Sequence, residues 1–204
     1  MIHLIDGPAG PIEVAEQGPE TARAVALVAH PHPLYGGTMD NKVVTTLARA
    51  AREAGALTVR FNFRGVGRTA GSHDEGRGET DDLVAVARHA LDRHPGLPLW
   101  LAGFSFGGAV ALAASEQLAA TEMVLVAPAF SRLVHWPHAA AGGKPPESAL
   151  VIHGEKDDTV PLAESIDWAR AHGVPVAIVP DADHFFHQRL HHVRRIAGRW
   201  LRPE

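Results

Sequence analysis

The stretch that decides the fold is Leu97-Pro98-Leu99-Trp100-Leu101-Ala102-Gly103-Phe104-Ser105-Phe106-Gly107-Gly108-Ala109-Val110-Ala111-Leu112. Leu97 to Leu101 is a short apolar run that reads as a buried strand, and the chain from Phe106 to Leu118 reads as a helix. Between them lies Gly-x-Ser-x-Gly. A turn this tight presses the positions two before and two after the serine against each other, so both must be small, while the serine hydroxyl is pushed beyond the sheet edge. A glycine-rich turn with an incidental serine would carry the same five residues. The strand before and the helix after mark Ser105 as a candidate nucleophile.

Working outward, the same alternation continues on both sides. Residues 22–29, 57–63, 97–101, 123–127, 149–152 and 174–179 are short apolar runs bounded by Gly, Pro or polar turns. Their near-continuous apolarity predicts strands buried on both faces, the mark of a parallel sheet. Residues 40–53, 80–92, 106–118, 161–171 and 185–201 read as helices between them, so the class is α/β, with helices on both sides of the sheet. The first twenty residues differ. Ile2 to Ile5 and Ile12 to Ala15 flank the turn Asp6-Gly7-Pro8-Ala9-Gly10, which predicts an antiparallel hairpin at the sheet edge. No repeat, low-complexity tract or linker divides the chain, which reads as one domain over residues 1–204; Gly142-Gly143-Lys144-Pro145-Pro146 reads as a surface loop.

Composition narrows the function. With 204 residues, 46% hydrophobic and 21% charged, the chain can bury one substantial core. A formal charge of −4 offers no basic excess for a phosphate backbone, so nucleic acid is not an expected partner. Cysteine is absent, which removes thiolate nucleophiles, thiolate metal sites and disulfides together. The start, Met1-Ile2-His3-Leu4-Ile5-Asp6, lacks a basic region followed by a long apolar one, and no apolar run approaches membrane-spanning length, so a cytoplasmic protein without a membrane partner is expected. Oligomeric state is not legible.

A nucleophilic serine needs a base and an acid, in the chain order Ser, Asp or Glu, His, each at the end of a later strand. After the strand 149–152 comes His153-Gly154-Glu155-Lys156-Asp157-Asp158-Thr159-Val160-Pro161, offering Asp157 or Asp158. After the strand 174–179 comes Pro180-Asp181-Ala182-Asp183-His184, which places His184 at the start of the last helix. Each interval is long enough for a helical crossover, so all three groups return to the carboxyl ends of the strands, where ligands of open α/β sheets sit.

These motifs, together with His30-Pro31-His32-Pro33-Leu34-Tyr35-Gly36-Gly37 and Phe61-Asn62-Phe63-Arg64-Gly65-Val66-Gly67, resemble the α/β-hydrolase superfamily, in particular its small lidless serine hydrolases of the dienelactone-hydrolase-like and peptidase-like branch. The resemblance spans the chain from near residue 22 to the C-terminus. It implies a three-layer fold without a lid domain, no cofactor or metal, a Ser105–His184–Asp157 triad, and hydrolysis of a small ester or thioester through an acyl-enzyme, with a short-substrate peptidase or a catalytically silent binding protein as alternatives. It places the acid on Asp157, because Asp158 falls one step late in the family's Gly-x-x-Asp-x-x-Val-Pro pattern. One departure matters: dienelactone hydrolases proper use cysteine, and this chain has none. The oxyanion hole falls on the backbone N–H of Phe106 and of His32, with Leu34 as second choice, since Pro31 and Pro33 have no N–H.

Other signals are weaker. Gly65-x-Gly67-x-x-x-Gly71 has one residue too many for a dinucleotide fingerprint and leads into a polar stretch where a helix should start. Among the 14 histidines, His30 with His32, or His184, His187 and His191, could in principle hold zinc, but no His-Glu-x-x-His pattern accompanies them; His187, His191 and His192 read as a solvated helix face. Arg64 either orients a substrate anion or pairs with Asp81 or Asp82. The segment from Ala129 to Ser148 is too short for a multi-helix cap, so a shallow site that favours short acyl groups is expected, unless Phe130, Leu133, Val134 and Trp136 build a tunnel.

Overall fold

The computed structural model describes residues 2–133 and 144–202. One sheet contains β1 (Ile2–Ile5), β2 (Ile12–Gln17), β3 (Ala24–Ala29), β4 (Ala56–Phe61), β5 (Leu99–Phe104), β6 (Ala120–Val126), β7 (Ser148–Gly154) and β8 (Val176–Val179), in the order β1-β2-β4-β3-β5-β6-β7-β8. The helices are α1 (Lys42–Glu53), α2 (Arg77–Arg93), α3 (Phe106–Ala114), α4 (Leu162–His172) and α5 (Leu190–Trp200). β1 pairs with β2 and β2 with β4 antiparallel; every other pairing is parallel. The mostly parallel sheet with an antiparallel N-terminal edge is the arrangement expected from the sequence.

The continuous apolar strands are explained by burial on both faces. Successive side chains of a strand point to opposite sides. Val25, Leu27, Leu99, Leu101, Met123 and Val151 therefore join one core with α2, α3 and Trp168 of α4. Their neighbours Ala26, Val28, Trp100, Phe104, Val124 and Ile152 join the other core with α1 and α5. Three layers result.

Chain order reverses between β3 and β5: from β3 the chain moves to β4 on one side, and β5 then adds on the other. Loops leaving the carboxyl ends of these two neighbours diverge and open a crevice, the usual ligand position in such sheets. Ala29 and Gly103 are paired at this point, so the loop after β3 and the serine turn after β5 face each other.

Two helices begin three or more residues away from where their periodicity suggests. α2 starts at Arg77 and not Thr80, because the buried Glu79 carboxylate accepts from the Gly76 and Asp74 N–H groups at 2.8 and 2.9 Å and draws the polar stretch into the first turn. α5 starts at Leu190 and not Phe185, because Phe186 and Gln188 have φ of 54° and 60°, which no continuous helix allows. His184 consequently sits in a turn ahead of the helix. α3 stops at Ala114 rather than Leu118; Ser115 Oγ donates back to the Leu112 carbonyl at its end. No helix among the described residues is long and apolar enough to cross a membrane.

Candidate active site

Ser105 has φ 55° and ψ −120°, a region L-residues seldom occupy and one that costs about 1–3 kcal/mol. The surroundings hold it there. Its N–H donates to the Val126 carbonyl at 2.9 Å, and its carbonyl accepts from Ala129 N–H at 3.1 Å, tying the turn to the adjacent strand end. A Cβ on Gly103 would collide with the Gly107 carbonyl, and one on Gly107 with the His30 carbonyl. The glycines are thus demanded by contact between the two arms of the turn and between the turn and the end of β3.

His184 Nε2 lies 3.1 Å from Ser105 Oγ, and His184 Nδ1 lies 2.7 Å from Asp157 Oδ2. A carboxylate can only accept, so Nδ1 carries the proton and Nε2 is left to accept from the serine hydroxyl. Ser105 and His184 are buried to 7% and 3% exposure, and the His184 ring packs on Phe104 with centroids 4.8 Å apart. Asp157 Oδ1 accepts from the N–H groups of Thr159 and Val160 at 2.9 and 2.8 Å. Burial pushes the Asp157 carboxyl upward, but hydrogen bonds from His153, His184 and Val160 outweigh it and hold the group below the ordinary carboxylate range. Asp158 is exposed and accepts from Thr159 Oγ1 at 3.3 Å. The structure brings Ser105, His184 and Asp157 together and leaves Asp158 outside.

One member of this network has no role in the sequence reading. His153, fully buried at the end of β7, has Nε2 3.0 Å from the Val160 carbonyl and 3.2 Å from Asp157 Oδ2, with Nδ1 2.8 Å from Ser165 Oγ. Both Nε2 neighbours are acceptors, so Nε2 donates and Nδ1 takes the Ser165 hydroxyl proton. The imidazole braces the far side of Asp157. A histidine at the end of an otherwise apolar strand, four residues before the acid, is the signal that could have found it.

The loop after β3 forms the opposite wall of a cleft of about 380 Å³ lined by Pro31, His32, Tyr35, Ser105, Phe106 and His184, among others. Leu34 is not in that lining, and its N–H donates to His32 Nδ1 at 3.3 Å. The His32 carbonyl accepts from the N–H groups of Tyr35 and Gly37, each at 3.1 Å, and its ring packs on Phe106 at 4.9 Å. Buried His30 supports the loop from below: Nδ1 lies 2.6 Å from the Pro31 carbonyl, and Nε2 accepts from Phe63 N–H at 3.0 Å. Burial lowers its pKa to about 4, so the ring is neutral and these roles are fixed. Asn62 holds the loop's far end by accepting from Met39 N–H at 2.9 Å while donating to Glu13 at 2.8 Å.

The remaining candidates resolve structurally. Arg64 makes a two-pronged pair with Asp82, Nε–Oδ2 3.0 Å and Nη2–Oδ1 2.8 Å, and not with Asp81. Gly67 has φ 58° and lies where a Cβ would meet Asn62 and Glu13, so this glycine serves a turn. Among the described residues, the histidine sets weighed and set aside as zinc ligands are otherwise engaged: both His30 nitrogens are hydrogen-bonded, His184 bonds the serine, and His187 bonds Asp183 at 2.6 Å before the helix begins. Phe130 is buried with its ring stacked on Trp168 at 4.6 Å, away from the cleft lining. Val134, Trp136 and the Leu133 side chain lie outside the described residues.

A sheet of this order, with a serine turn at its switch point and a histidine hydrogen-bonded to that serine, defines the α/β serine hydrolases. Residues 22–145 match the sequence family Hydrolase_4, described as serine aminopeptidase S33, and the chain belongs to it. The chain is similar to XC6422 of Xanthomonas campestris, an α/β serine hydrolase without a lid, at 40% identity and TM-score 0.92 over 98% of this chain and 93% of that one. It is also similar to an α/β serine hydrolase homologue from Coxiella burnetii, at 38% identity and TM-score 0.88 over 98% and 96% of the two chains. A dienelactone hydrolase from Anabaena variabilis, 21% identical, shares the fold at TM-score 0.77 over 98% of this chain and 96% of that one.

Proposed function

We propose that the protein hydrolyses carboxylic esters or thioesters with short acyl groups through an acyl-enzyme on Ser105. The observation that carries this reading is the continuous chain of hydrogen bonds from Ser105 Oγ through His184 to Asp157 at the crevice of the switch point. Ser105 Oγ attacks the carbonyl carbon as His184 Nε2 takes its proton; the imidazolium, held by Asp157, then delivers that proton to the departing alcohol or thiol. Water, deprotonated by the same nitrogen, releases the acid and restores the serine. The oxyanion is received by Phe106 N–H, which as the first of α3 has no acceptor within its helix, and by His32 N–H across the cleft. Such a donor contributes about 3–4 kcal/mol to the transition state.

Two features favour short esters. The described cleft lining contains no Asp or Glu, whereas an aminopeptidase must meet the substrate's ammonium group with a carboxylate or an equivalent acceptor array. The cleft is also modest in volume, and residues 127–147 between β6 and β7 are too few for a cap with its own apolar face. Each further methylene left in water forgoes about 0.8 kcal/mol. Values of kcat/KM for acetyl, butyryl, octanoyl and palmitoyl p-nitrophenyl esters and matched acyl-thioesters test the proposal. The optimum is expected at four carbons or fewer; a steady climb to palmitoyl would overturn the short-acyl assignment, and turnover only of aminoacyl-arylamides would transfer the enzyme to the peptidases.

A further inference from the structure

At the hairpin edge of the sheet, two strands and a helix converge on a second group of chemically capable side chains. In the β1–β2 register His3 lies opposite Val14, so Glu16, two residues on, is its diagonal neighbour on the same face. That face packs against α2, which contributes His89. One ligand atom from each of His3, Glu16 and His89 can be chosen so that all three lie within 4.8 Å of one another.

The second, independent observation concerns satisfaction. Both ring nitrogens of His3 and Nε2 of His89 are shielded from solvent and have no hydrogen-bond partner among the described residues. His3 Nε2 lies 3.9 Å from Glu16 Oε1, beyond a hydrogen bond. Shielded imidazole nitrogens without partners cost stability, and such atoms are ordinarily paired. Two of them converging with a carboxylate have a common solution.

We propose that His3, Glu16 and His89 bind a divalent zinc-like transition-metal ion that joins the edge hairpin to α2. Two neutral imidazoles and one carboxylate are a standard three-residue donor set for zinc, with water in the fourth position. At metal–ligand distances of about 2.0–2.2 Å, neighbouring donors stand roughly 3.4 Å apart, so modest side-chain rotations close the set. Arg93 Nη1 lies 3.3 Å from each Glu16 oxygen. Half-exposed, Arg93 can keep one oxygen while the metal takes the other, the outer-sphere hydrogen bond that orients metal-bound carboxylates. β4 and β3 separate this edge from β5 and Ser105, so the ion is a structural staple and takes no part in hydrolysis.

The test is calorimetric titration of ZnCl2 into untagged, chelator-treated protein, with a parallel melting curve. One equivalent is expected to bind with micromolar or tighter affinity and to raise Tm. His89→Gln and Glu16→Gln are each expected to weaken binding at least tenfold while leaving ester turnover unchanged; His187→Ala, altering a surface histidine elsewhere, should bind as wild type. Co2+ substitution adds a visible-absorption signature of a four-coordinate site that both ligand variants lose. Absence of one-equivalent binding overturns the proposal, as does wild-type affinity in either ligand variant; should one variant fail to fold, the other decides.

Discussion

Replacing Asp157 by Asn tests the active site more sharply than removing the side chain, because the local hydrogen bonds dictate which way the amide must lie. Oδ1 accepts from two backbone N–H groups, Thr159 at 2.9 Å and Val160 at 2.8 Å. Those donors cannot change character, and stranding them would cost about 1–3 kcal/mol each. The amide oxygen therefore takes the Oδ1 position and the NH2 group the Oδ2 position, facing His184 Nδ1 across 2.7 Å. An imidazole can change tautomer, so His184 moves its proton to Nε2 and points it at Ser105 Oγ, 3.1 Å away. A protonated Nε2 cannot accept the serine proton, and the base is lost with the geometry intact. Tautomer inversion of this kind lowers kcat by about 10⁴-fold, or roughly 5 kcal/mol in the barrier. Steady-state hydrolysis of p-nitrophenyl butyrate and the rate of fluorophosphonate labelling should both fall by that order. Asp158→Asn, which alters an exposed carboxylate, should stay within about twofold of wild type. A loss under 100-fold in Asp157→Asn, or an equal loss in Asp158→Asn, would refute the assignment of the acid.

Two further expectations concern stability. Ser105→Ala should abolish fluorophosphonate labelling at wild-type Tm, whereas Ser105→Gly should also abolish it yet be more stable by about 1 kcal/mol, since glycine occupies φ 55° without strain; equal melting of the two variants would show that the turn is unstrained. His30, lowered from 6.5 to about 4, is neutral when folded and protonates readily when unfolded. Its contribution, about 3 kcal/mol, is full above pH 6.5 and is lost as pH falls toward 4, so urea midpoints of His30→Gln should depend less on pH across that window than those of wild type.

The chain's local chemistry determined much of this protein. Strand and helix alternation is legible because burial on both faces demands unbroken apolar runs such as Ala24 to Ala29, and the edge hairpin because Asp6 to Gly10 is turn chemistry. Ser105 is legible because only glycines tolerate the contacts at 103 and 107. Chain order places His184 and the neighbours Asp157 and Asp158 just past strand ends, and the family resemblance points to Asp157 of the two. Helix starts were less legible, since a buried carboxylate at Glu79 and positive φ values at Phe186 and Gln188 move them without altering apolar periodicity. Tertiary structure alone decided that His153 braces Asp157, that Arg64 closes on Asp82, and that Leu34 N–H turns to the His32 ring. It alone gathered His3, Glu16 and His89, distant in sequence and lacking any local spacing pattern. Periodicity records how a segment meets water and core, whereas side chains brought together by strand register and helix packing leave no local trace in the chain.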